Sequence, residues 1–285
     1  MKIHLNLLLL IFTIILIVNC DKDPVGPTGT GFIYPLKVGN QWEYDRIFSI
    51  FNIRPDSSNN IPYTDTTITF SLIIEIIREE PILDSINFFV FQQTLKEFDS
   101  TIIPISYYAN LDSGLYFYAN SSPVFFTPKA SLKNKILFKG RYFNNIREIT
   151  SYIADAIPKN YYIIDSSIFE NPPPLLSLKY PLEIGSQWAY RHPGIPWNID
   201  KKILNSERVI VPAGRFVCFK IQWLFDINQD SVWDDDIIFY DYVCAKGLIK
   251  RSILYKDLIY FGEMSPEPLG LRDSKDEIVL TKLTL

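Results

Sequence analysis

Tyr34-Pro35-Leu36-Lys37-Val38-Gly39-Asn40-Gln41-Trp42-Glu43-Tyr44 returns 146 residues later as Tyr180-Pro181-Leu182-Glu183-Ile184-Gly185-Ser186-Gln187-Trp188-Ala189-Tyr190. Seven of the eleven positions are identical, and they are the residues with strong backbone or packing roles: Tyr, Pro, Leu, Gly, Gln, Trp and Tyr. The positions that vary, such as Lys37 against Glu183, suit a water-facing surface. Pro biases the preceding Tyr towards extended backbone, and Gly permits a turn at positive φ. A strand then begins in which Trp and the final Tyr share one face by period-two alternation. A repeated structural opening of this kind implies two tandem modules, each threaded by the same tryptophan-bearing strand.

Length agrees with two modules, since 285 residues suffice for one large or two ordinary domains. Aromatics make up 15% of the chain against only 12 glycines, and Ile-rich alternating runs dominate, which points to β-sheet. The expected class is all-β with minor helix, arranged as two tandem antiparallel curved-sheet or open-barrel modules. Their expected spans are 34–171 and 180–285, separated by a proline-rich spacer at 172–179 that starts with Pro172-Pro173-Pro174. A net charge of −4 excludes the basic surface that nucleic acid requires.

The N-terminus carries an export pattern: Lys2, an almost wholly apolar run from Leu5 to Val18, then Cys20 and the polar Asp21-Lys22-Asp23-Pro24. Fourteen apolar residues are short of the roughly 20 that a spanning helix needs and fit a signal peptide's core, so residues 1–19 read as cleaved, the alternative being an uncleaved anchor. Ile17-Val18-Asn19-Cys20 resembles the lipobox of bacterial lipoproteins, with Asn19 in place of the usual small residue. That resemblance implies lipidation of Cys20 and a membrane partnership through its acyl chains. Residues 20–33, with Pro24, Pro27 and three glycines, then form a flexible tether.

In the first module, strands are expected over Gln41–Phe51, Thr64–Arg78, Ile86–Phe98, Thr101–Ala109, Gly114–Asn120 and Lys135–Lys139, with a short helix within Asn145–Ala154. The Tyr107-Tyr108 and Tyr116-Phe117-Tyr118 clusters read as sheet packing before they read as a ligand-stacking surface.

In the second, Val211-Pro212-Ala213-Gly214 is a tight turn, and Arg215–Phe225 pairs with Ile237–Ala245 across an acidic loop. Phe225 opposite Ile237 sets a register in which opposed numbers sum to 462, aligning Val217, Phe219, Ile221, Trp223 and Phe225 with Ile237, Phe239, Asp241, Val243 and Ala245. The same register opposes Cys218 to Cys244 within disulfide reach, so these two are either a bridge or two small neighbouring residues.

The loop itself presents Asp226, Asn228, Asp230, Asp234 and Asp236, with Val232 offering a backbone carbonyl. This spacing resembles the first part of an EF-hand or dockerin calcium loop. Ser231 stands where such loops carry glycine, and Ile237 where they carry a bidentate acid. The two readings are a calcium site or a solvated acidic hairpin tip, and five acids in eleven residues repel without a counter-charge.

The motifs Y-P-L-x-x-G-x-x-W-x-Y, V-P-A-G-x-F-x-C and G-L-I-K together resemble a family of exported bacterial proteins, many of them lipoproteins, with β-rich domains and no assigned activity. The resemblance covers nearly all of the second module and only the opening of the first, and it implies an exported location and curved antiparallel sheets. No catalytic motif is present. After signal cleavage His192 is the one remaining histidine, in the turn-like Arg191-His192-Pro193-Gly194, and there is no G-x-S-x-G or P-loop. The chain is therefore expected to be a lipid-anchored cell-envelope protein, on the outer membrane or the periplasmic face, that either binds an unidentified ligand or envelope partner or has a structural role in a surface assembly. The alternative is a carboxylate-dependent, glycosidase-like hydrolase of envelope or extracellular polysaccharide.

Overall fold

Both copies of the repeated opening turn alike at their glycine, although the Tyr180–Pro181 bond is cis and the Tyr34–Pro35 bond is trans. Gly39 and Gly185 turn the chain at φ +90° and +87°. The Gly39 N–H donates to the Ile76 carbonyl (2.8 Å) and the Asn40 carbonyl accepts from the Ile76 N–H (2.9 Å); Gly185 and Ser186 bracket Ile203 in the same way (2.8 and 2.9 Å). Trp42 and Trp188 are both buried and both donate the indole N–H to a backbone carbonyl, that of Lys246 (2.7 Å) and of Leu176 (2.9 Å).

The computed structural model describes residues 31–56, 64–83, 86–97, 100–120, 135–155, 174–191, 197–262 and 267–285. The first copy opens β1 (Gln41–Pro55), followed by β2 (Thr66–Leu83), β3 (Ile86–Glu97), a short β4 (Ser100–Ile102), β5 (Ile105–Leu111) and β6 (Gly114–Asn120). A small hairpin, β7 (Ile136–Phe138) and β8 (Arg141–Phe143), leads into helix α1 (Ile146–Thr150), a π-helical turn (Ser151–Asp155) and β9 (Leu175–Lys179). The second copy opens β10 (Gln187–Arg191), then β11 (Asn198–Val211), β12 (Gly214–Asp226), β13 (Ile237–Cys244), β14 (Gly247–Phe261) and β15 (Pro268–Thr284). No described helix is long and apolar enough to cross a membrane.

All of these strands join one antiparallel sheet in the order β10-β11-β12-β13-β14-β15-β1-β2-β3-β5-β6-β9, with β4 on β3 and the β7–β8 hairpin on β14. Each repeat therefore heads its own meander, and the two are fused where β1 pairs with β15. At the other edge β9 faces β10, and side chains span the seam: besides the Trp188 bond to Leu176, Lys201 Nζ donates to the Ser177 carbonyl (3.0 Å). The sheet curls into a nearly closed barrel. The β12–β13 pairing follows the expected register, with Phe219 opposite Val243, Ile221 opposite Asp241 and Trp223 opposite Phe239.

Two expectations are corrected. The halves do not keep separate cores, because closure brings both meanders onto one interior: Phe117 and Leu175 pack with Trp223 and Phe239, and Leu115 and Leu178 with Trp188 and Phe219. The stretch 172–179 is not wholly a spacer, since Leu175–Lys179 is β9, paired to β6 and burying Leu175 and Leu178. Four apolar or small residues after the proline run suffice to extend the sheet edge.

Each end of the barrel is plugged. At the end where the repeats turn, Phe32 and Leu182 are buried, and Tyr34 and Tyr180, the matching first residues of the two copies, meet. The Tyr34 N–H donates to the Tyr180 hydroxyl (2.8 Å), which donates to Asn110 Oδ1 (2.7 Å), while Asn110 Nδ2 donates back to the Tyr34 carbonyl (2.9 Å). At the opposite end α1 inserts Ile146 and Ile149 among Phe138, Phe225 and Tyr255. Its start is set by Asn145, whose side chain accepts from the Glu148 N–H (3.0 Å), while the Glu148 carboxylate accepts from the Asn144 N–H (2.8 Å).

Candidate functional site

Between the two plugs the barrel holds a partly open cavity of about 220 Å³. Its wall is built by the same period-two rule that makes the core, with one exception per strand. Trp42, Tyr44 and Phe48 share a face of β1 with Arg46; Ile199 and Ile203 flank Lys201 on β11; Phe239 and Val243 flank Asp241 on β13; Ile249 and Ile253 flank Arg251 on β14; Ile278 and Leu280 follow Asp276 on β15. Strand pairing then sets Asp241 opposite Arg251 and Asp276 one diagonal step from Arg46.

Two carboxylate–arginine forks result. Asp241 accepts from Arg251 Nε (2.7 Å) and Nη2 (3.0 Å) and from the Trp223 indole N–H (2.8 Å). Asp276, 1% exposed, accepts from Arg46 Nε (3.1 Å) and Nη2 (2.7 Å) and from the Thr150 hydroxyl (2.9 Å), so the helical plug is tied into the wall. Thr150 also bonds the Tyr255 hydroxyl (2.9 Å). Bidentate pairs of this kind fix geometry as well as charge.

Lys201 differs. Its ammonium lies 3.8 Å from the Trp223 ring centroid and 4.1 Å from that of Tyr190, and donates one hydrogen bond, to the Ser177 carbonyl. Among the described residues it has no carboxylate partner within ion-pair distance. Burial drives its pKa down to about 7; the negative charge of Asp241 works against that shift, and Arg251 and Arg191 reinforce it. Tyr44 donates its hydroxyl to the Leu248 carbonyl (2.8 Å), and burial pushes the phenols of both Tyr34 and Tyr44 above their ordinary range. The aromatic clusters of the first module pack in the wall: Tyr107 and Phe117 are buried, and Tyr108 lines the cavity.

The sequence-predicted sites lie elsewhere. Cys218 and Cys244 are neighbouring buried thiols, and Cys244 Sγ accepts from the Lys246 N–H (3.4 Å). The hydrogen bond between them separates their acidities: the Cys218 thiol is pushed up, by that bond and then by burial, while the same bond and the Lys246 N–H lower that of Cys244.

In the acidic loop Asp226 is 2% exposed and accepts from the N–H groups of Asp230 (3.0 Å) and Ser231 (3.2 Å), with Gln229 and Ser231 at φ +60° and +68°. Asp230 accepts from Asn228 Nδ2 and the Val232 N–H (2.8 Å each). Asp234 accepts from the Ile227 N–H (2.9 Å), and its other oxygen, with Asp236 Oδ1, holds Lys139 Nζ at 2.6 and 2.9 Å. The counter-charge looked for in an ion is thus supplied by Lys139, from the turn between β7 and β8. No three described His, Cys, Asp or Glu side chains converge on a metal position. Cys20 and His192 fall outside the described residues.

No sequence motif marks Lys201, Arg46, Arg251 or Asp276. The available signal was a charged residue on the apolar side of an alternating strand, as in Ile199-Asp200-Lys201-Lys202-Ile203. Such a residue has to find its partners inside the fold.

No protein-family profile matches this chain, and no curated protein matches it in sequence. Two solved structures are similar over most of their length. One is a candidate exported protein with a YmcC-like fold from Bacteroides fragilis, at 12% identity and TM-score 0.37, covering 89% of this chain and 99% of that one. The other is a candidate lipoprotein from Parabacteroides distasonis, at 13% identity and TM-score 0.34, covering 89% and 98%.

Proposed function

We propose that this chain is a lipid-anchored protein of the cell envelope that binds a small ligand inside its barrel and does not transform it. The observation that carries the binding half of this reading is the partly open cavity of about 220 Å³, walled by aromatic faces and by polar groups that are already held in place. Preorganised polar groups beside aromatic faces favour binding, since little ordering remains to be done when a ligand arrives. Export and anchoring are supported by Lys2, the apolar run to Val18 and Cys20.

The hydrolase alternative needs one carboxyl group that donates a proton and a second that attacks or activates water. Asp241 and Asp276 both line the cavity, but each has its oxygens engaged by an arginine fork and one further donor. That arrangement favours binding over hydrolysis.

Trp42 and Trp223 line the cavity, so tryptophan fluorescence reports occupancy. Titration with single-ring and short-chain organic compounds is expected to give a saturable change that Trp223→Phe diminishes; a response linear in concentration for every compound would overturn the binding reading. Labelled palmitate is expected to be incorporated when the full chain is expressed in a bacterial host, and not by Cys20→Ser.

A further inference from the structure

We propose that the cavity ligand carries a single anionic group of carboxylate size, and that this group docks on Lys201 while the ligand's apolar body lies against the surrounding aromatic wall. This deepens the binding reading of the preceding subsection and rests on it.

The lining charges do not balance. Arg46 and Arg251 are each matched by an aspartate, leaving three cations facing two carboxylates among the described lining residues, with Lys201 as the remainder. Lys201 is 4% exposed, and an ammonium has three N–H groups, of which one is given to the Ser177 carbonyl. The faces of Trp223 and Tyr190 offer the rest only a weak, non-directional attraction. A buried cation without a counter-ion is costly, and an anion entering the cavity removes that cost while completing the hydrogen bonds.

The charged groups around the ammonium are Asp241 from β13, Arg251 from β14 and Arg191 from β10. Asp241 is already engaged by Arg251, so the local field favours a negative guest and opposes a cationic one. An apolar cavity of about 150 Å³ accommodates benzene, so about 220 Å³ suits one ring or a short chain bearing a carboxylate. An anion beside Lys201 also raises its proton affinity. Because burial holds the free amine near pKa 7, binding at pH 8 takes up a proton.

The test is calorimetric titration of the full chain with matched carboxylate and amide pairs (benzoate and benzamide, hexanoate and hexanamide, indole-3-carboxylate and its amide) at pH 8, in buffers of different ionisation enthalpy. For at least one pair the carboxylate is expected to bind about ten- to a hundredfold tighter than the amide, with uptake of nearly one proton. Lys201→Met is expected to abolish both the preference and the uptake, and Lys201→Arg is expected to retain the preference. Equal binding of acid and amide, or a preference that survives in Lys201→Met, would overturn the anionic class and leave the binding site standing. Should no pair bind at all, the binding reading falls and takes this inference with it.

Discussion

Gly247→Ala probes the way the first repeat is locked into the second half of the chain. Gly247 turns the chain between β13 and β14 at φ +102°, directly against the fully buried indole of Trp42. A Cβ there would lie 2.7 Å from Nε1, 3.0 Å from Cε2 and 3.2 Å from Cζ2 of that ring. Alanine therefore acts twice. The positive φ costs about 1 to 2 kcal/mol. The indole must also move off the Lys246 carbonyl, leaving a buried N–H without its acceptor at about 1 to 3 kcal/mol. The expected loss is roughly 2 to 5 kcal/mol, a large part of the stability of an ordinary domain, and lowers Tm by about 4 to 20 °C. Gly39→Ala is the control: its φ is +90°, but nothing lies within 4 Å of the added carbon, so only the backbone cost of about 1 to 2 kcal/mol is expected. Differential scanning calorimetry of both variants, together with the double variant Trp42→Phe/Gly247→Ala, decides the matter. The smaller ring makes room for the methyl group, so the double variant should lose less than the two single losses combined. Equal losses at positions 39 and 247, or strict additivity, would refute the close packing of Trp42 on this turn.

Other outcomes follow from the interior charges and the hairpin loop. Lys201 has a folded-state pKa near 7, below its unfolded value, so the unfolded chain binds the extra proton between about pH 7 and pH 10.5. Wild-type stability is therefore expected to gain on the order of several kcal/mol across that window relative to Lys201→Met. Urea midpoints at pH 6, 8 and 10 that shift in parallel for the two proteins would contradict this. Asp241→Ala takes the forked carboxylate from Arg251 and a favourable negative charge from Lys201, and a loss of about 2 to 4 kcal/mol in urea unfolding is expected, moderated because Arg251 is 25% exposed. Lys139 already bridges Asp234 and Asp236, and its own pKa is held up by those bonds against the effect of burial. Millimolar calcium should thus leave the wild-type Tm unchanged while raising that of Lys139→Met, and a clear rise in wild type would show that an ion displaces the lysine. The adjacent thiols of Cys218 and Cys244 are expected to bridge when the protein is exported to an oxidising compartment, seen as a mass lower by two hydrogens and a stability gain of roughly 3 to 4 kcal/mol.

Legibility in the sequence tracked the range of the interactions. Where one hairpin contains its own evidence, the reading holds: Phe219 opposite Val243 follows from matching two alternating faces, because a one-residue slip would turn Trp223 and Phe239 outward. Gly114–Asn120 likewise forms the expected strand. β14 runs unbroken from Gly247 to Phe261, because Asp257 at φ +54° bulges without ending the pairing. The calcium-like spacing was visible, whereas its counter-charge was not, since Lys139 precedes Asp234 by 95 residues.

By itself the amino-acid order determined what each strand must do locally: which face is apolar, where glycine turns the chain, and that the same tryptophan-bearing opening is used twice. The closure of those strands around a shared interior was decided only in three dimensions. β1 meets β15 across 230 residues at the Arg46–Asp276 fork, and Lys201 reaches across the seam to Ser177. A charged residue on an apolar face signals that partners exist, but their identity depends on which strands become neighbours. Neighbourhood in a barrel is a property of the closed sheet and not of any segment within it.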